Sequence, residues 1–157
     1  MIEVRAVEPR DVPAVLALVA EVLGEFGLEF GKGSPTDAEL HDLPASYTSR
    51  GGAFWVALRD GELLGTCGVF PVDAQTFELR KMYLREVSRG LGLGKRLLDT
   101  AVAWVRAQGG TRIGLDTIEA MTRAIAFYEA NGFVRDDTQK RAARCTRGYL
   151  LTIASVT

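Results

Sequence analysis

Residues that bind metals or form disulfides are scarce in this chain of 157 residues, which has two cysteines and one histidine. Cys67 and Cys145 are far apart and form no C-x-x-C pair, and His41 stands alone, so we expect no zinc site. A framework of disulfides is not expected either, and a reducing cytoplasm is the simplest location for such a chain.

Long apolar runs and a strong charge of one sign are also missing. No stretch of eighteen apolar residues is present, as a membrane-spanning helix would require. The N-terminal segment MIEVRAVEPRDV is acidic and lacks the apolar core of a signal peptide. The formal net charge of −1 gives no overall field that would attract nucleic acid. We therefore expect neither a membrane nor a nucleic acid as a partner.

What the sequence does contain is an ordinary globular composition, 47% hydrophobic and 25% charged, at a length typical of one domain. Alternating or short buried apolar runs predict strands, and apolar residues at helical spacing predict helices. The predicted strands cover residues 2–7, 53–58, 62–70, 76–84 and 112–116, with a last strand or hairpin pair in 133–153. The predicted helices cover residues 12–26, 37–48, 93–108 and 120–130.

The predicted elements combine into one architecture. The dipeptide Asp60-Gly61 is a strong hairpin signal, so residues 53–84 predict an antiparallel meander. Helices accompany a mixed sheet, and no linker, repeat or low-complexity segment interrupts them. We expect a single α/β domain over residues 1–157, with a mixed, mostly antiparallel central sheet flanked by helices.

A glycine-rich turn between a strand and a helix is the strongest chemical signal, in the segment ELRKMYLREVSRGLGLGKRLL at residues 78–98. The first turn of a helix has unpaired backbone N–H groups and positive dipole character. Glycines let the backbone approach a ligand closely. Together these features predict a site for phosphate oxygens.

Three known patterns compete for this turn. The Rossmann pattern G-x-G-x-x-G fails at its third glycine, and the Walker A pattern fails because Arg89 and Arg96 stand at two of its required positions. The pattern [QR]-x-x-G-x-[GA] matches at Arg89, Gly92 and Gly94. A second segment, AIAFYEANGF at residues 124–133, places a tyrosine several residues before Gly-Phe.

On these two motifs the chain resembles the GCN5-related N-acetyltransferase (GNAT) family, whose fold the element order from 1 to about 135 also matches. The resemblance implies acetyl-CoA as cosubstrate and no metal. It implies that the strand before the turn pairs with the pantetheine arm and that the turn wraps the pyrophosphate. The implied coenzyme-binding residues are Met82, Tyr83, Leu84, Arg89, Gly90, Leu91, Gly92, Leu93, Gly94 and Lys95.

The resemblance also assigns a general acid. Tyr128 matches the tyrosine that, in this family, protonates the departing thiolate of coenzyme A. A phenol with an ordinary pKa near ~10 is suited to that step. The competing interpretation is a core side chain, since Tyr128 shares a helix face with apolar residues. The family's frequent asparagine is absent, because Met121 occupies its position.

A base and an oxyanion donor complete the expected site. Glu78, on the strand before the turn, resembles the carboxylate that deprotonates the amine, and an ion pair with a nearby arginine or lysine is the equal alternative. Asp73 and Asp116 are weaker candidates. The family uses a backbone N–H near Leu84 for the oxyanion. Direct transfer is favoured over a covalent route through either cysteine.

The acceptor is an amine that the sequence does not identify. The resemblance implies that the first two helices and their loop border the acceptor site. Because that segment, residues 21–42, is acidic, we expect an acceptor with positive charge, and a solvated acidic face is the alternative. Two alternatives stay open: an inactive module that binds acyl-CoA as a sensor, and an enzyme that acetylates a protein or peptide. The basic stretch 135–147 is a poor signal for RNA binding. The resemblance is compatible with a homodimer, because domains of this family often dimerise.

Overall fold

The computed structural model describes residues 1–153, and residues 154–157 of the expected domain lie outside the described part. Apart from short 3₁₀ turns, the described chain folds into seven strands and four α-helices. The strands are β1 (Ile2–Ala6), β2 (Ala53–Arg59), β3 (Glu62–Pro71), β4 (Thr76–Leu84), β5 (Arg112–Thr117), β6 (Val134–Arg135) and β7 (Arg147–Thr152). The helices are α1 (Val12–Gly24), α2 (Ala45–Thr48), α3 (Leu93–Ala107) and α4 (Thr122–Ala130).

The strands form one mixed sheet in the order β1-β2-β3-β4-β5-β7-β6. Strands β1 to β4 pair antiparallel with their neighbours, as do β5 with β7 and β7 with β6. Only β4 and β5 are parallel, because α3 crosses over between them. The expected meander and the expected mixed, mostly antiparallel sheet are confirmed.

The parallel pairing of β4 and β5 is short. Thr76, Phe77 and Glu78 pair with residues 112–114, after which no pairing continues between the two strands in the described structure. β4 runs on to Leu84 and β5 to Thr117. Their carboxyl halves therefore diverge and leave a gap in the middle of the sheet.

Two apolar cores lie on the two faces of the sheet. The first packs α3 and α4 against residues such as Leu79 and Ile113. The second packs α1 and the segment 35–48 against residues such as Phe54 and Val56. β3 is buried on both sides over most of its length, so its sequence LLGTCGV reads as a continuous apolar run rather than an alternation.

The predicted helix over 37–48 is the main disagreement in the fold. The structure has a 3₁₀ helix, Pro35–Asp42, and the single turn α2. Leu43 between them is extended, with φ −75° and ψ 146°. The reason is Pro44, because proline disfavours helical backbone at the residue before it. The other predicted helices and strands differ from the observed ones by a few residues at their ends, except that only β6 and β7 of the predicted pair over 133–153 are strands and residues 136–146 connect them.

Gly68, in the middle of β3, lies under two aromatic rings. A Cβ atom at this position would stand 2.6 Å from Phe54 Cδ2 and 2.9 Å from Tyr47 Cε2. Both rings are buried and meet edge to face, with centroids 5.2 Å apart. The absence of a side chain therefore lets the rings rest on the strand opposite Arg80.

We predict that Gly68→Ala lowers the free energy of unfolding by about 1–3 kcal/mol, because the added methyl overpacks this site. Urea unfolding followed by circular dichroism measures the change. Gly24→Ala is the matched control, since a Cβ there has nothing within 4 Å and alanine favours a helix. Equal stability of the two variants would contradict the packing argument.

Candidate functional site

Two adjoining cavities occupy the gap between β4 and β5. The large cavity has a volume of about 520 Å³ and extends to the glycine turn. The small cavity has a volume of about 140 Å³ and extends toward residues 34–36 and 141–145. The two share one set of wall residues: Met82, Tyr83, Met121, Ala124 and Tyr128. A group at this junction can be reached from both sides.

The glycine turn forms one end of the large cavity. Gly90 and Gly92 have φ of 93° and 76°, where side chains are strained, and Gly92 is the residue before α3. The first N–H of this turn that bonds along the helix is that of Arg96, to Gly92 O at 3.2 Å. The N–H groups before it in the helix have no intrahelical acceptor. They are therefore available as donors, and such donors suit a phosphate group.

The fit of coenzyme A to this cavity can be judged from the residues that surround it. A volume of about 520 Å³ lies within the range of cofactor sites. Gly94 faces Leu84 and Phe127, and a Cβ there would lie 3.4 Å from each, so larger side chains would fill the space beside the turn. The chemistry and the space both suit a pyrophosphate at the turn with a thin arm along β4.

Most predicted coenzyme-binding residues line the large cavity, and two do not. The wall contains Met82, Tyr83, Leu84, Arg89, Gly90, Gly92, Leu93 and Gly94. Leu91 is 44% exposed at the tip of the turn. Lys95 forms an ion pair with Asp99 on the outer face of α3. For these two residues, the side chains point to solvent, although their backbone belongs to the turn.

Arg89 has a defined place beside the turn. Its guanidinium pairs with Glu25 Oε1 at 2.9 Å and donates to Leu84 O at 3.1 Å. It thereby ties the end of α1 to the end of β4. The sequence motifs did not single out Arg123 and Phe127, which line the same cavity from α4. Their positions on the helix of Tyr128, five and one residues before it, were the signal that could have identified them.

A bulge in β4 shapes the wall between the cavities. Between the pairs Thr66–Tyr83 and Gly68–Arg80, β3 has one residue and β4 has two. Lys81 in the bulge has φ of 54°, and its carbonyl accepts a hydrogen bond of 2.7 Å from the buried Thr66 hydroxyl. The bulge bends the strand at the edge of the gap, as β-bulges often do beside functional sites.

Tyr128 lies at the junction of the cavities. Its ring is buried and packs against Phe127 and Phe133, with centroids 5.8 and 5.5 Å away. Within residues 1–153 its hydroxyl has no hydrogen-bond partner. Burial raises the pKa of this phenol above its ordinary value. The side chain is therefore part of the core and part of the cavity wall at once, and it carries its proton at neutral pH.

Glu78 is buried in the wall of the small cavity and forms an ion pair with Arg80 through Oε1. Its Oε2 lies 3.6 Å from Arg141. The ion pair that competed with the role of base is thus present. Arg80 is held further by Glu39, at 3.1 Å, and by the face of the Phe70 ring, at 4.1 Å.

The two weaker carboxylate candidates lie in different places. Asp116, on β5, lines the small cavity, and its Oδ2 accepts the backbone N–H of Arg141 at 2.7 Å and that of Ala142 at 2.8 Å. Asp73 caps the turn before β4 through the N–H of Thr76 at 2.8 Å, and it belongs to neither cavity wall.

A buried charge cluster of Asp37, Lys81 and Arg144 supports the small cavity. Asp37 is fully buried and bonds to Lys81 and, in two contacts of 2.9 and 3.1 Å, to Arg144. Burial acts to raise the pKa of Asp37, but the hydrogen bonds from Arg144 and Lys81 outweigh it, and the pKa lies below its ordinary value. Sequence patterns did not single out this cluster.

The acidic segment 21–42 is largely paired with cations. Glu21 lies 3.7 Å from Arg85, and Glu29 lies 3.1 Å from Lys32. Glu25, Asp37 and Glu39 form the pairs described above. Five of the six acids in the segment are thus paired, and Asp42 is exposed. This pairing weakens the basis for the expected cationic acceptor. His41 is exposed and packs edge-on against Phe30.

Neither cysteine is placed to act as a thiolate. Both thiols are free. Burial raises the pKa of Cys67 above its ordinary value, and burial likewise raises the pKa of Cys145 to about 12. Within the described residues there is no cluster of three potential metal ligands. No helix between residues 1 and 153 is long and apolar enough to cross a bilayer.

Comparison with known proteins identifies relatives of the whole arrangement. The family model described as "Acetyltransferase (GNAT) family" matches residues 19–133. The uncharacterized N-acetyltransferase YjgM of Escherichia coli K12 is 36% identical over 132 residues, 82% of this chain and 79% of that protein. Human N-acetyltransferase 8B is 34% identical over 101 residues, 60% of this chain. The match covers 44% of the human protein, so this chain spans less than half of it.

Solved structures share the fold. A GNAT-family acetyltransferase from Staphylococcus aureus Mu50 superposes with a TM-score of 0.91 at 23% identity, over 98% of this chain and 100% of that one. The PaiA N-acetyltransferase of Thermoplasma acidophilum, solved with coenzyme A, gives 0.79 at 18% identity, over 97% and 99%. At these identities the similarity establishes the fold alone.

We predict that Asp37→Asn lowers the free energy of unfolding by about 3–5 kcal/mol, because it leaves two buried cations without their shared counter-charge. The pKa of Asp37 is lower in the folded than in the unfolded state, so its stabilising effect is present at neutral pH. That effect is lost as the pH falls below ~4 toward the folded-state pKa. Urea unfolding from pH 3 to 8 measures both changes.

The control for this prediction is Glu29→Gln, which removes an exposed ion pair with Lys32. Such pairs contribute little to stability, so the control should match the unchanged protein at each pH. If Asp37→Asn were as stable as Glu29→Gln at pH 7, the buried charge cluster would not contribute to the free energy of unfolding as proposed.

Proposed function

Because the chain belongs to the GNAT family of acetyltransferases, we propose that it transfers the acetyl group of acetyl-CoA directly to an amine that enters the small cavity. One observation carries the proposal: the two cavities meet at the buried hydroxyl-bearing side chain of Tyr128. One cavity suits the coenzyme and the other suits an acceptor, so the reacting atoms would meet there.

The proposed binding of coenzyme A uses the residues of the large cavity. The unpaired N–H groups from Gly92 to Lys95 would hold the pyrophosphate, with Arg89 and Arg123 adding positive charge. The free edge of β4 at Met82, Tyr83 and Leu84 would pair with the pantetheine arm. When bound, acetyl-CoA supplies an activated thioester, and the chain's residues align it.

The proposed transfer needs one proton donor and one proton acceptor. The lone pair of the amine forms the new carbon–nitrogen bond, the carbon–sulfur bond breaks, and the Tyr128 hydroxyl gives its proton to the sulfur. The surplus proton of the amine passes to Glu78, directly or through water, and Asp116 is the competing acceptor. A backbone N–H of β4 near Leu84 would stabilise the oxygen of the carbonyl.

We predict that Tyr128→Phe lowers kcat by about 10²–10⁴-fold, because the donor of the proton to sulfur is removed. The affinity for coenzyme A should stay within about twofold, since the ring and its packing remain. Thiol release against a broad amine panel gives kcat, and calorimetry gives affinity. Tyr149→Phe, which removes a hydroxyl bonded to Glu129 outside both cavity walls, is the control and should keep its activity.

The choice of base is tested with Glu78→Gln and Asp116→Asn, measured as kcat/KM against pH. If Glu78 is the base, its replacement flattens the acidic side of the profile and lowers the plateau by about 10²-fold or more. Asp116→Asn should keep the profile of the unchanged protein. The reverse pattern would assign the role of base to Asp116. If neither replacement changes the profile, neither residue is the base, and Glu78 serves only in its ion pair with Arg80.

A small-molecule acceptor is favoured over a protein or peptide by the size of the small cavity, about 140 Å³. A sensor module without transfer is disfavoured by the position of Tyr128, and coenzyme A binding without turnover on any amine would support it. A cytoplasmic location and a homodimer stay predictions of the sequence.

A further inference from the structure

We propose that the acceptor carries a carboxylate, so that the substrates of this chain are amino acids or similar amines with an anionic end. The inference rests on the proposed transfer to an amine and specifies which amines the small cavity selects. It replaces the cationic acceptor that the acidic segment had suggested.

The walls of the small cavity carry more positive than negative side chains. Six charged residues line it, four of them cationic and two acidic: Arg80, Lys81, Arg141 and Arg144 against Glu78 and Asp116. Behind the wall, Glu39 on Arg80 and Asp37 on Lys81 and Arg144 balance the total charge. What can attract an anion is therefore the excess of cationic groups that face the cavity itself. A polyamine would bring its second charge against these side chains.

The cations differ in how many carboxylates of the protein pair with them. Arg80 is held by Glu78 and Glu39, and it is therefore the least available. Lys81 and Arg144 share the single carboxylate of Asp37. This group of three therefore keeps one unit of positive charge beside the wall of the cavity, and Arg80 with its two carboxylates keeps one unit of negative charge.

Arg141 is the cation best placed to bind a ligand. Its Nη1 donates to Gln139 O at 3.0 Å, and the same nitrogen forms an ion pair with Glu78 Oε2 at 3.6 Å, which is longer than a hydrogen bond. Within the described chain its remaining guanidinium N–H groups have no hydrogen-bond partner. The side chain is 38% exposed, so it can change its orientation toward a ligand. A carboxylate matches such a guanidinium in two parallel hydrogen bonds.

The backbone beneath Arg141 is fixed. Asp116 accepts the N–H groups of residues 141 and 142, so the segment that carries this arginine is anchored on β5. The same cavity therefore offers carboxylates for the amino group, at Glu78 and Asp116, and guanidinium groups for an anionic group, at Arg141 and Arg144. An amino acid has an amino group and a carboxylate close together, so it can contact both kinds of group at once.

The test compares acceptors that differ only in charge. Thiol release from acetyl-CoA is measured with the common amino acids, with their carboxamides and with spermidine. At least one amino acid should exceed its own carboxamide in kcat/KM by about 10-fold or more, the effect of a hydrogen bond to a charged group. The carboxamide's amine loses its proton more readily, so this preference would reflect recognition rather than reactivity.

The variant Arg141→Gln should raise KM for that amino acid about 10-fold and leave the KM of its carboxamide nearly unchanged. Arg59→Gln, on an exposed arginine at the end of β2, is the control and should change neither. A better rate with carboxamides or spermidine than with every amino acid would overturn the inference. So would an equal effect of Arg141→Gln on both members of a pair.

A second readout works without turnover. Calorimetry with the protein loaded with coenzyme A compares an N-acetyl amino acid with its N-acetyl carboxamide. Tighter binding of the carboxylate form, lost in Arg141→Gln, supports the inference. If this binding is found but no amine is acetylated, only the proposed transfer fails. Equal or weaker binding of the carboxylate form overturns the inference, whatever the activity.

Discussion

The divergence of β4 from β5 is the constraint on which the site depends. Parallel pairing stops after Glu78, and from there the edge of β4 that faces β5 is released. Buried backbone groups without partners are costly, so this edge must face either solvent or a ligand. β3 still pairs with the other edge of β4 as far as Leu84, so the strand stays in the sheet while its free edge is available to a ligand. The bulge at Lys81, fastened by Thr66, accommodates the change of direction.

Charge pairs hold the remaining walls around this gap. Asp37 joins the 3₁₀ helix before α2 to β4 and to the segment before β7, and Glu25 joins α1 to the glycine turn through Arg89. None of these three pairs joins neighbours in the chain. They fix the helices before β2, the strand β4 with its glycine turn, and the segment before β7 relative to one another. The apolar cores lie on the two faces of the sheet and do not connect these elements at the gap.

The sequence predicted the parts of the site that depend on local patterns. Gly92 and Gly94 stand at fixed offsets between a strand and a helix, so their role in a turn can be recognised without knowledge of the fold. Lys95 and Leu91 were included because the motif spans them. Helical spacing already indicates that the Lys95 side chain does not face the cavity. Leu93 and Leu97 lie on the buried face of α3, and Lys95, two residues from each, lies on the opposite face.

The charge pairing was not predictable, because its partners are distant in sequence. Asp37 is 44 residues from Lys81 and 107 residues from Arg144. From sequence alone, a run of acidic residues has the same appearance whether its members are exposed or neutralised. The helix expected over 37–48 was wrong for a different reason, since it was extended past Pro44, which disfavours helical backbone at the residue before it.

The segment that carries Arg141 and Arg144 lies beyond the region of the family match, which ends at residue 133. The glycine turn, β4 and Tyr128 all lie inside that region. The half of the gap that suits the coenzyme is thus built from the part common to the family, and a wall of the other half comes from a short connection before β7. Under the proposed arrangement, exchange of that connection would alter the choice of acceptor during evolution while the residues that bind the acetyl donor stayed unchanged.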